Sequence, residues 1–493
     1  MSYFSFLGHP MNVKRCLSFL GVCVITFFLA FVPTSFFGVD PVTAEPIFTL
    51  TQQRVIAIFV FTALMWILEV IPTWTTSVVA IVSILLTTSN KGLGFLIAKE
   101  NVGALTNYKD VMAAFADPVI MLFLGGFVLA FAATKVGLDV QLAKIMLKPF
   151  GTNPKFVLLG VLLVIGVFSM FMSNTATAAM MLTFLTPVLA TLPKDGGGRI
   201  SLALAIPIAA NLGGMGTPIG TPPNAIALGA LQEAGYNITF VGWMIRMVPY
   251  VIVMLLIAWF LLTKMFPFKA KTIELKIEGA PVKVTPFQKY VVWVTFALTI
   301  ILWVFEGVLG VNSNIVAMIP FAVFSATGIL KARDLEHINW AVLWMVAGGF
   351  ALGVGLQETG LAQTLIDAIP FGSWPALVMV IGSGLICYAM ANFISHTATA
   401  SLLVPILAAV GASAAVSANL VPLGGVSTLL VGVAIGSSLG MVLPISTPPN
   451  AIAASTGMIE QKEMVKTGLI MGVLGLVLGY IMLIVLGSTG FFG

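Results

Sequence analysis

Met172-Ser173-Asn174-Thr175-Ala176-Thr177-Ala178 recurs further along the chain as Ile394-Ser395-His396-Thr397-Ala398-Thr399-Ala400. Each copy is followed by a second shared phrase: Gly220-Thr221-Pro222-Pro223-Asn224-Ala225-Ile226-Ala227 after the first, and Ser446-Thr447-Pro448-Pro449-Asn450-Ala451-Ile452-Ala453 after the second. In all four places hydroxyl, amide, glycine and proline residues interrupt apolar sequence. Such breaks are costly in a bilayer unless they are buried in protein or line a cavity. The paired breaks therefore predict one polar site assembled from two similar halves.

The sequence around them is 59% hydrophobic and 8% charged, with a mean hydropathy of +1.08, which excludes a soluble domain with a charged surface. Apolar runs of the ~20 residues that cross a bilayer recur throughout, so the chain reads as an α-helical bundle rather than a barrel of short alternating strands. The net charge of +5 is spread over loops and carries no implication of nucleic acid. Cys16, Cys23 and Cys387 lie in apolar runs with no disulfide or metal spacing and read as packing residues.

Lys14 and Arg15 precede a first span over 16–32; no small-x-small cleavage pattern follows, which favours a span over a signal peptide. Further spans are expected at 52–71, 74–89 and 118–135, with Lys91 to Ala116 as an interfacial amphipathic arm between the last two. A double-length run over 156–193 with Ser173-Asn174-Thr175 at its middle predicts a re-entrant hairpin. A broken span at 200–231 and a continuous one at 241–266 follow it. Residues 267–287 carry Lys269, Lys271, Lys276 and Lys283 against Glu274 and Glu278 and read as a cytoplasmic linker. Beyond it come spans at 288–309, 312–330 and 340–358, a second hairpin at 375–411, a broken span at 424–455 and a last span at 467–489.

Three landmarks superpose the halves. Gly125-Gly126-Phe127 lies 223 positions before Gly348-Gly349-Phe350, Ser173 lies 222 before Ser395, and Pro222 lies 226 before Pro448. Ordered multi-residue matches at near-constant offsets indicate an internal repeat. Lysine and arginine then set its sense. Lys144, Lys148 and Lys155 on one side of the first hairpin, with Lys194 and Arg199 on the other, place its open end in the cytoplasm. From Gln357 to Gln461 there is no lysine or arginine, while Glu358 and Asp367 precede the second hairpin, so that one opens outward. Lys331, Arg333, Lys462 and Lys466 are cytoplasmic in this scheme; Lys91 and Lys99 fall outside as exceptions. The predicted fold is thus an all-α polytopic membrane protein with about 11 transmembrane helices plus two re-entrant hairpins in two inverted repeats, its broken helices meeting at a midplane site. Residues 1–51 form an N-terminal span and external loop, 52–266 the first repeat and 288–493 the second. The N-terminus is cytoplasmic and the C-terminus external, in a cell (inner) membrane.

Inverted repeats with discontinuous helices are the arrangement of secondary transporters. Helix N-termini opened at Ser173-Asn174-Thr175 and Ser395-His396-Thr397 present free N–H groups and positive dipole ends, and Thr175, Thr397 and Asn174 can donate to carboxylate oxygens. Two such tips suit a dicarboxylate. The proline breaks leave neighbouring carbonyls free for a cation, and oxygen ligation without Asp or Glu suits Na⁺ rather than a divalent metal. An isolated Ser-x-Thr in an apolar helix more often bonds back to its own carbonyls; duplication at matched spacing reverses that. Gly213, Gly214, Gly216, Gly424, Gly425 and Gly440 read as close helix packing. Glu69 and Glu306 sit near span ends and read as interfacial or paired. No catalytic Ser-His-Asp or metal-ligand cluster points to an enzyme, and matched hairpins meeting in mid-membrane argue against a channel.

These residues resemble the divalent anion:sodium symporter (DASS) family of INDY-like di- and tricarboxylate transporters, over nearly the whole chain. The resemblance implies a homodimer with a scaffold part and a moving transport part, working by an elevator motion. It places Ser173, Asn174, Thr175, Thr221 and Pro222, with Ser395, Thr397, Thr447 and Pro448, against the substrate carboxylates. Ser169, Ser173, Asn174 and Gly220 are similar to a first sodium site, and Ala391, Ile394, His396 and Ser446 to a second. His396 stands where sodium-coupled members usually have asparagine, faces the anion in this alignment, and has counterparts in exchange-type relatives. Two modes stay open: Na⁺-coupled symport of C4-dicarboxylates such as succinate, malate or fumarate, and Na⁺-independent dicarboxylate exchange.

Overall fold

A computed structural model describes the chain except for residues 1–3, 7, 8, 12, 41–43, 100, 194, 195, 275–283, 369–372 and 490–493. Apart from a short antiparallel pair, Phe4–Phe6 with His9–Met11, its regular structure is helical. The principal helices are α1 Val13–Phe31, α2 Leu50–Leu68, α3 Thr73–Thr87, α4 Pro118–Val136, α5 Pro154–Phe171, α6 Asn174–Thr191, α7 Gly198–Gly214, α8 Pro222–Glu233 and α9 Phe240–Met265. They continue as α10 Pro286–Val304, α11 Met318–Ala326, α12 Trp340–Glu358, α13 Ala376–Ala391, α14 His396–Ala412, α15 Gly425–Ser438, α16 Pro448–Ser455 and α17 Gln461–Gly487.

Among the described residues eight helices are long and apolar enough to cross a membrane. Seven coincide with expected spans, and the eighth, α5, is the first arm of the expected hairpin. The other expected spans are short or broken for local reasons. The 200–231 run divides into α7 and α8 where Thr217-Pro218 and Pro222-Pro223 deny the backbone its N–H donors. The 424–455 run divides in the same way into α15 and α16. After α14 the chain turns by 93° into Ala414–Leu423.

The segment expected as an interfacial arm behaves differently from Asn101 onward. The Thr51 amide donates to the Val102 carbonyl, Thr106 pairs with Thr88, and Glu358 accepts from the Asn107 amide. Val111 and Ala114 are buried, and Tyr108–Val136 runs on as one apolar stretch. Buried backbone must find partners, and here α2, α3 and α12 supply them. The linker also starts later than expected. Ile273 is buried and donates its amide to Thr152 O at 2.8 Å, so the chain is held to the core that far; residues 275–283, with Lys276, Glu278 and Lys283, lie outside the described residues.

Both arms of the first hairpin, α5 and α6, pack on α7, and both arms of the second, α13 and α14, pack on α15. The far halves of the broken helices cross over: α16 lies against α6 and α7, while α8 lies against α14 and α15. Close approach is built into these seams. A Cβ on Gly213 of α7 would overlap the Gly166 backbone of α5, and one on Gly440 would stand 2.5 Å from the Ala391 backbone. Both glycines therefore act as the packing residues expected of them.

Candidate functional site

The two phrases come together around one cavity of about 240 Å³. Ser173, Asn174, Thr175, Thr221, Pro222, Ser395, His396, Thr397, Thr447 and Pro448 all line it, as do Gly220 and Ser446. Ser169, Ala391 and Ile394 sit behind the wall, each buried.

Each serine caps a helix. Ser173 Oγ accepts from the Ala176 amide at 3.2 Å and Ser395 Oγ from the Ala398 amide at 3.1 Å. The caps satisfy one of the orphan donors at each N-terminus. Among the described residues, the amides of Asn174 and Thr175, and those of His396 and Thr397, have no protein partner. The chain re-enters helix at Thr221 and Thr447 with prolines in the first two positions, where a missing N–H costs nothing. Thr447 Oγ1 accepts from the Asn450 amide at 3.2 Å, whereas Thr221 makes no such cap and keeps its hydroxyl for the cavity. Four helix N-termini, those of α6, α8, α14 and α16, thus end at this cavity. At about half a positive charge each, spread over their unsatisfied N–H groups, they favour an anion without supplying a full counter-charge.

The asparagines of the Pro-Pro-Asn phrases hold the breaks in shape. Asn224 Nδ2 donates to the carbonyls of Gly214 (3.1 Å), Met215 (3.2 Å) and Thr217 (2.8 Å). Asn450 Nδ2 donates to Met441 (2.8 Å) and Leu443 (2.9 Å). Asn211 on α7 donates to Thr447 Oγ1 and Asn450 Oδ1, at 3.2 Å each, and so ties the first half of the site to the second. Sequence reasoning missed Asn211, an isolated polar residue that no repeated phrase marks. It also missed Phe123, Phe127, Ile219, Asn339, Val342 and Met345, which line the cavity from other helices.

At the locus expected to hold a first sodium, the Asn174 amide head faces three oxygens, Ser169 Oγ at 2.7 Å and the carbonyls of Gly220 and Ala210 at 3.1 Å each. With Nδ2 turned inward it donates to all three. With Oδ1 inward it accepts from Ser169 Oγ at 2.7 Å, and four oxygens converge with that one hydroxyl proton among them, an arrangement that a cation would suit. The residues therefore fit Na⁺ in one amide orientation and a protein-only network in the other. At the second locus His396 Nε2 lies 2.7 Å from the Gly440 carbonyl, and Ser446 Oγ donates to Asn392 O at 2.7 Å. Ala391 offers no side-chain oxygen. An imidazole nitrogen with its proton stands where the first locus offers an amide oxygen, so the two loci are chemically unequal.

Charge at the cavity is also distinctive. Among the described residues, its lining includes neither lysine nor arginine, and one carboxylate, Glu69. Glu69 was expected at a span end. It does end α2, but in the left-handed conformation (φ 44°, ψ 42°), rare for a residue with a side chain and a form of strain that collects at functional sites. Glu306, also expected near a span end, is buried and accepts from the amides of Phe240 and Ser313, at 2.8 and 3.0 Å.

Residues 41–490 match the profile of the sodium:sulfate symporter transmembrane region. An uncharacterized transporter of Haemophilus influenzae is 33% identical over 392 residues, covering 74% of this chain and 80% of the relative. The sodium-dependent dicarboxylate transporters SdcS of Staphylococcus saprophyticus and Staphylococcus aureus are each 30% identical. The first covers 86% of this chain and 84% of the relative, the second 88% and 86%. Among solved structures, the YdaH transporter of Alcanivorax borkumensis shares the fold with a TM-score of 0.59 at 14% identity, over 97% of this chain and 98% of that one.

Proposed function

We propose, from the premise that this chain belongs to the sodium:sulfate symporter family, the divalent anion:sodium (DASS) group, that it is a secondary transporter moving C4-dicarboxylates together with Na⁺. The observation that carries this reading is the cavity's charge: a dianion entering it meets four helix N-termini and, among the described residues, neither lysine nor arginine. Dipoles alone leave a desolvated dianion poorly compensated. A cation held by Ser169, Asn174 and the Gly220 carbonyl beside the same tip supplies the missing charge, so that the anion and Na⁺ stabilise one another. Reciprocal stabilisation of this kind is coupling. Ser173, Thr175, Thr221, Ser395, Thr397 and Thr447 take the carboxylates, with Pro222 and Pro448 shaping the pocket. The sodium-dependent dicarboxylate relatives support both the substrate class and the ion.

A second mode, Na⁺-independent exchange of one dicarboxylate for another, is favoured by one feature, the His396 to Gly440 contact that takes up the second cation locus with a proton. Symport through a single sodium locus reconciles the two observations.

The mirrored packing of the two hairpins and the lysine distribution support inverted repeats, with the N-terminus cytoplasmic and the C-terminus external in the cell membrane. Phe123, Phe127, Val342 and Met345 form an apolar wall that carries neither repeated phrase. An elevator motion slides the two phrase-bearing hairpins along such a wall, within a homodimer of the kind the family resemblance implies.

Purified chain in liposomes tests the reading. An inward Na⁺ gradient should drive accumulation of labelled succinate, with unlabelled malate and fumarate competing and sulfate not. Uptake that ignores Na⁺ but requires internal dicarboxylate would overturn symport in favour of exchange, and sulfate accumulation would overturn the substrate class.

A further inference from the structure

Away from the transport cavity, α1 packs its side chains on α2 through its first half and is tied at its far end by Gln53. Phe19, Val22 and Cys23 pack on Phe61, Leu64 and Met65 of α2, whereas beside the later turns of α1 a cavity of about 550 Å³ opens and reaches to α3 and the Leu96–Lys99 segment. A smaller apolar pocket of about 140 Å³ shares Thr26, Phe27, Ile58 and Ser83 with it and continues along the α1–α3 seam to Cys23, Phe61 and Val79.

The larger cavity is basic. Arg54, on the second turn of α2, is 8% exposed; its Nη1 donates to Thr87 O at 2.9 Å and its Nη2 to Leu96 O at 3.1 Å. Among the described residues no carboxylate reaches it. A buried guanidinium with five donors and only two carbonyl partners is a charge that lacks its counterion. Lys99 stands exposed at the rim. Gln53, fully buried, donates to the carbonyls of Leu29 (2.8 Å) and Val32 (2.6 Å), while its amide oxygen has no partner.

We propose that this seam binds one anionic phospholipid with a hydroxylated headgroup, phosphatidylglycerol in chemistry. The phosphodiester lies between Arg54 and Lys99, a headgroup hydroxyl donates to Gln53 Oε1, and an acyl chain follows Phe27 into the apolar extension. Three observations fit this occupant together. The charge complements a phosphate, the polar end lies near the helix termini where headgroups sit, and the apolar end runs toward mid-helix where acyl chains sit. The lipid then adds apolar packing to the outer half of α1, which the Gln53 bonds tie to α2. The inference is independent of what the protein transports.

Native mass spectrometry of the full chain in non-ionic detergent tests it, with phosphatidylglycerol and phosphatidylcholine of identical acyl chains offered in competition. The expected result is one retained phosphatidylglycerol per chain, preferred about thirtyfold, the value of two basic side chains near a membrane surface. Arg54→Gln and Lys99→Gln should each cut that preference by about fivefold. Thr26→Trp, which fills the seam and leaves the charges in place, should abolish retention. Equal retention of both lipids, an unaltered preference in Lys99→Gln, or displacement of the lipid by free glycerol phosphate would each overturn the proposal. Lys99→Gln changes an exposed residue, so the test survives a misfolded Arg54 variant.

Discussion

His396 and Asn174 occupy equivalent positions and do opposite things with hydrogen. The imidazole meets the Gly440 carbonyl at 2.7 Å, while the Asn174 amide can turn its oxygen toward three others. His396→Asn restores an oxygen at the second locus. Initial uptake rates against Na⁺ concentration should change from hyperbolic to sigmoidal, and an unchanged curve would make His396 a bystander to coupling. Asn174→Ala removes one oxygen of the first locus and should weaken half-saturation by Na⁺ about tenfold to a hundredfold, the worth of one charge-assisted interaction. Glu69 offers a third test. As the one carboxylate among the cavity's lining residues it repels an entering dianion, so Glu69→Gln should lower the Km for succinate, by up to about tenfold at low salt and less as ionic strength screens the charge. An unaltered Km would remove Glu69 from the substrate path.

At the scale of elements, the broken helices work because each unwound turn is pinned by one asparagine two residues into the following helix. Asn224 serves three carbonyls of its own repeat. Asn450 serves two and also accepts from Asn211 across the repeats. Truncation leaves buried groups without partners, at about 1–3 kcal/mol for each one that water cannot reach. Both Asn224→Ala and Asn450→Ala should therefore lower the thermal midpoint in detergent and abolish uptake. Asn450→Ala should also loosen the junction between the halves, detectable as faster proteolysis near Asn211; equal cleavage in the two variants would show that the cross-repeat bond carries little.

Across the whole molecule, the two halves are also joined far from the cavity. Lys135 at the end of α4 reaches Asp334 at 2.5 Å and the Ile329 carbonyl at 2.8 Å, and lies over the Phe131 ring, on which His337 stacks. Burial by itself would raise the Asp334 carboxyl. The Lys135 ammonium, the Lys331 amide and the charge of Arg333 outweigh it and hold the carboxyl below its usual range. A lowered acid pKa contributes stability that is complete above the unfolded value of about 3.9 and is lost as pH falls through the folded value. Asp334→Asn should thus melt below the parent chain at pH 7, with the gap closing only under acid below the ordinary carboxylate range. A gap that stays constant down to that range and beyond would mean the charge is not what joins the halves.

Much of this architecture was legible in the chain. Apolar run length dictates the spans, because a bilayer accepts only backbone bonded within itself. The doubled Ser-x-Thr and Pro-Pro-Asn phrases identify the breaks, because proline removes the donors a helix needs. The residues expected at the site do gather around one cavity for that reason. What the sequence could not reveal were the contributions of single unrepeated residues from distant helices. Asn211 crosses the repeats, Glu69 enters the cavity through a left-handed turn, and Asn101 to Ala116 folds onto α2, α3 and α12 where an interfacial arm was expected. Arg54, too, is an ordinary helix residue until the space between α1, α2 and α3 leaves it facing a cavity. Periodicity and repetition are local properties that a chain displays in order. Which lone polar group meets which carbonyl depends on how helices hundreds of residues apart cross, and only tertiary packing decides that.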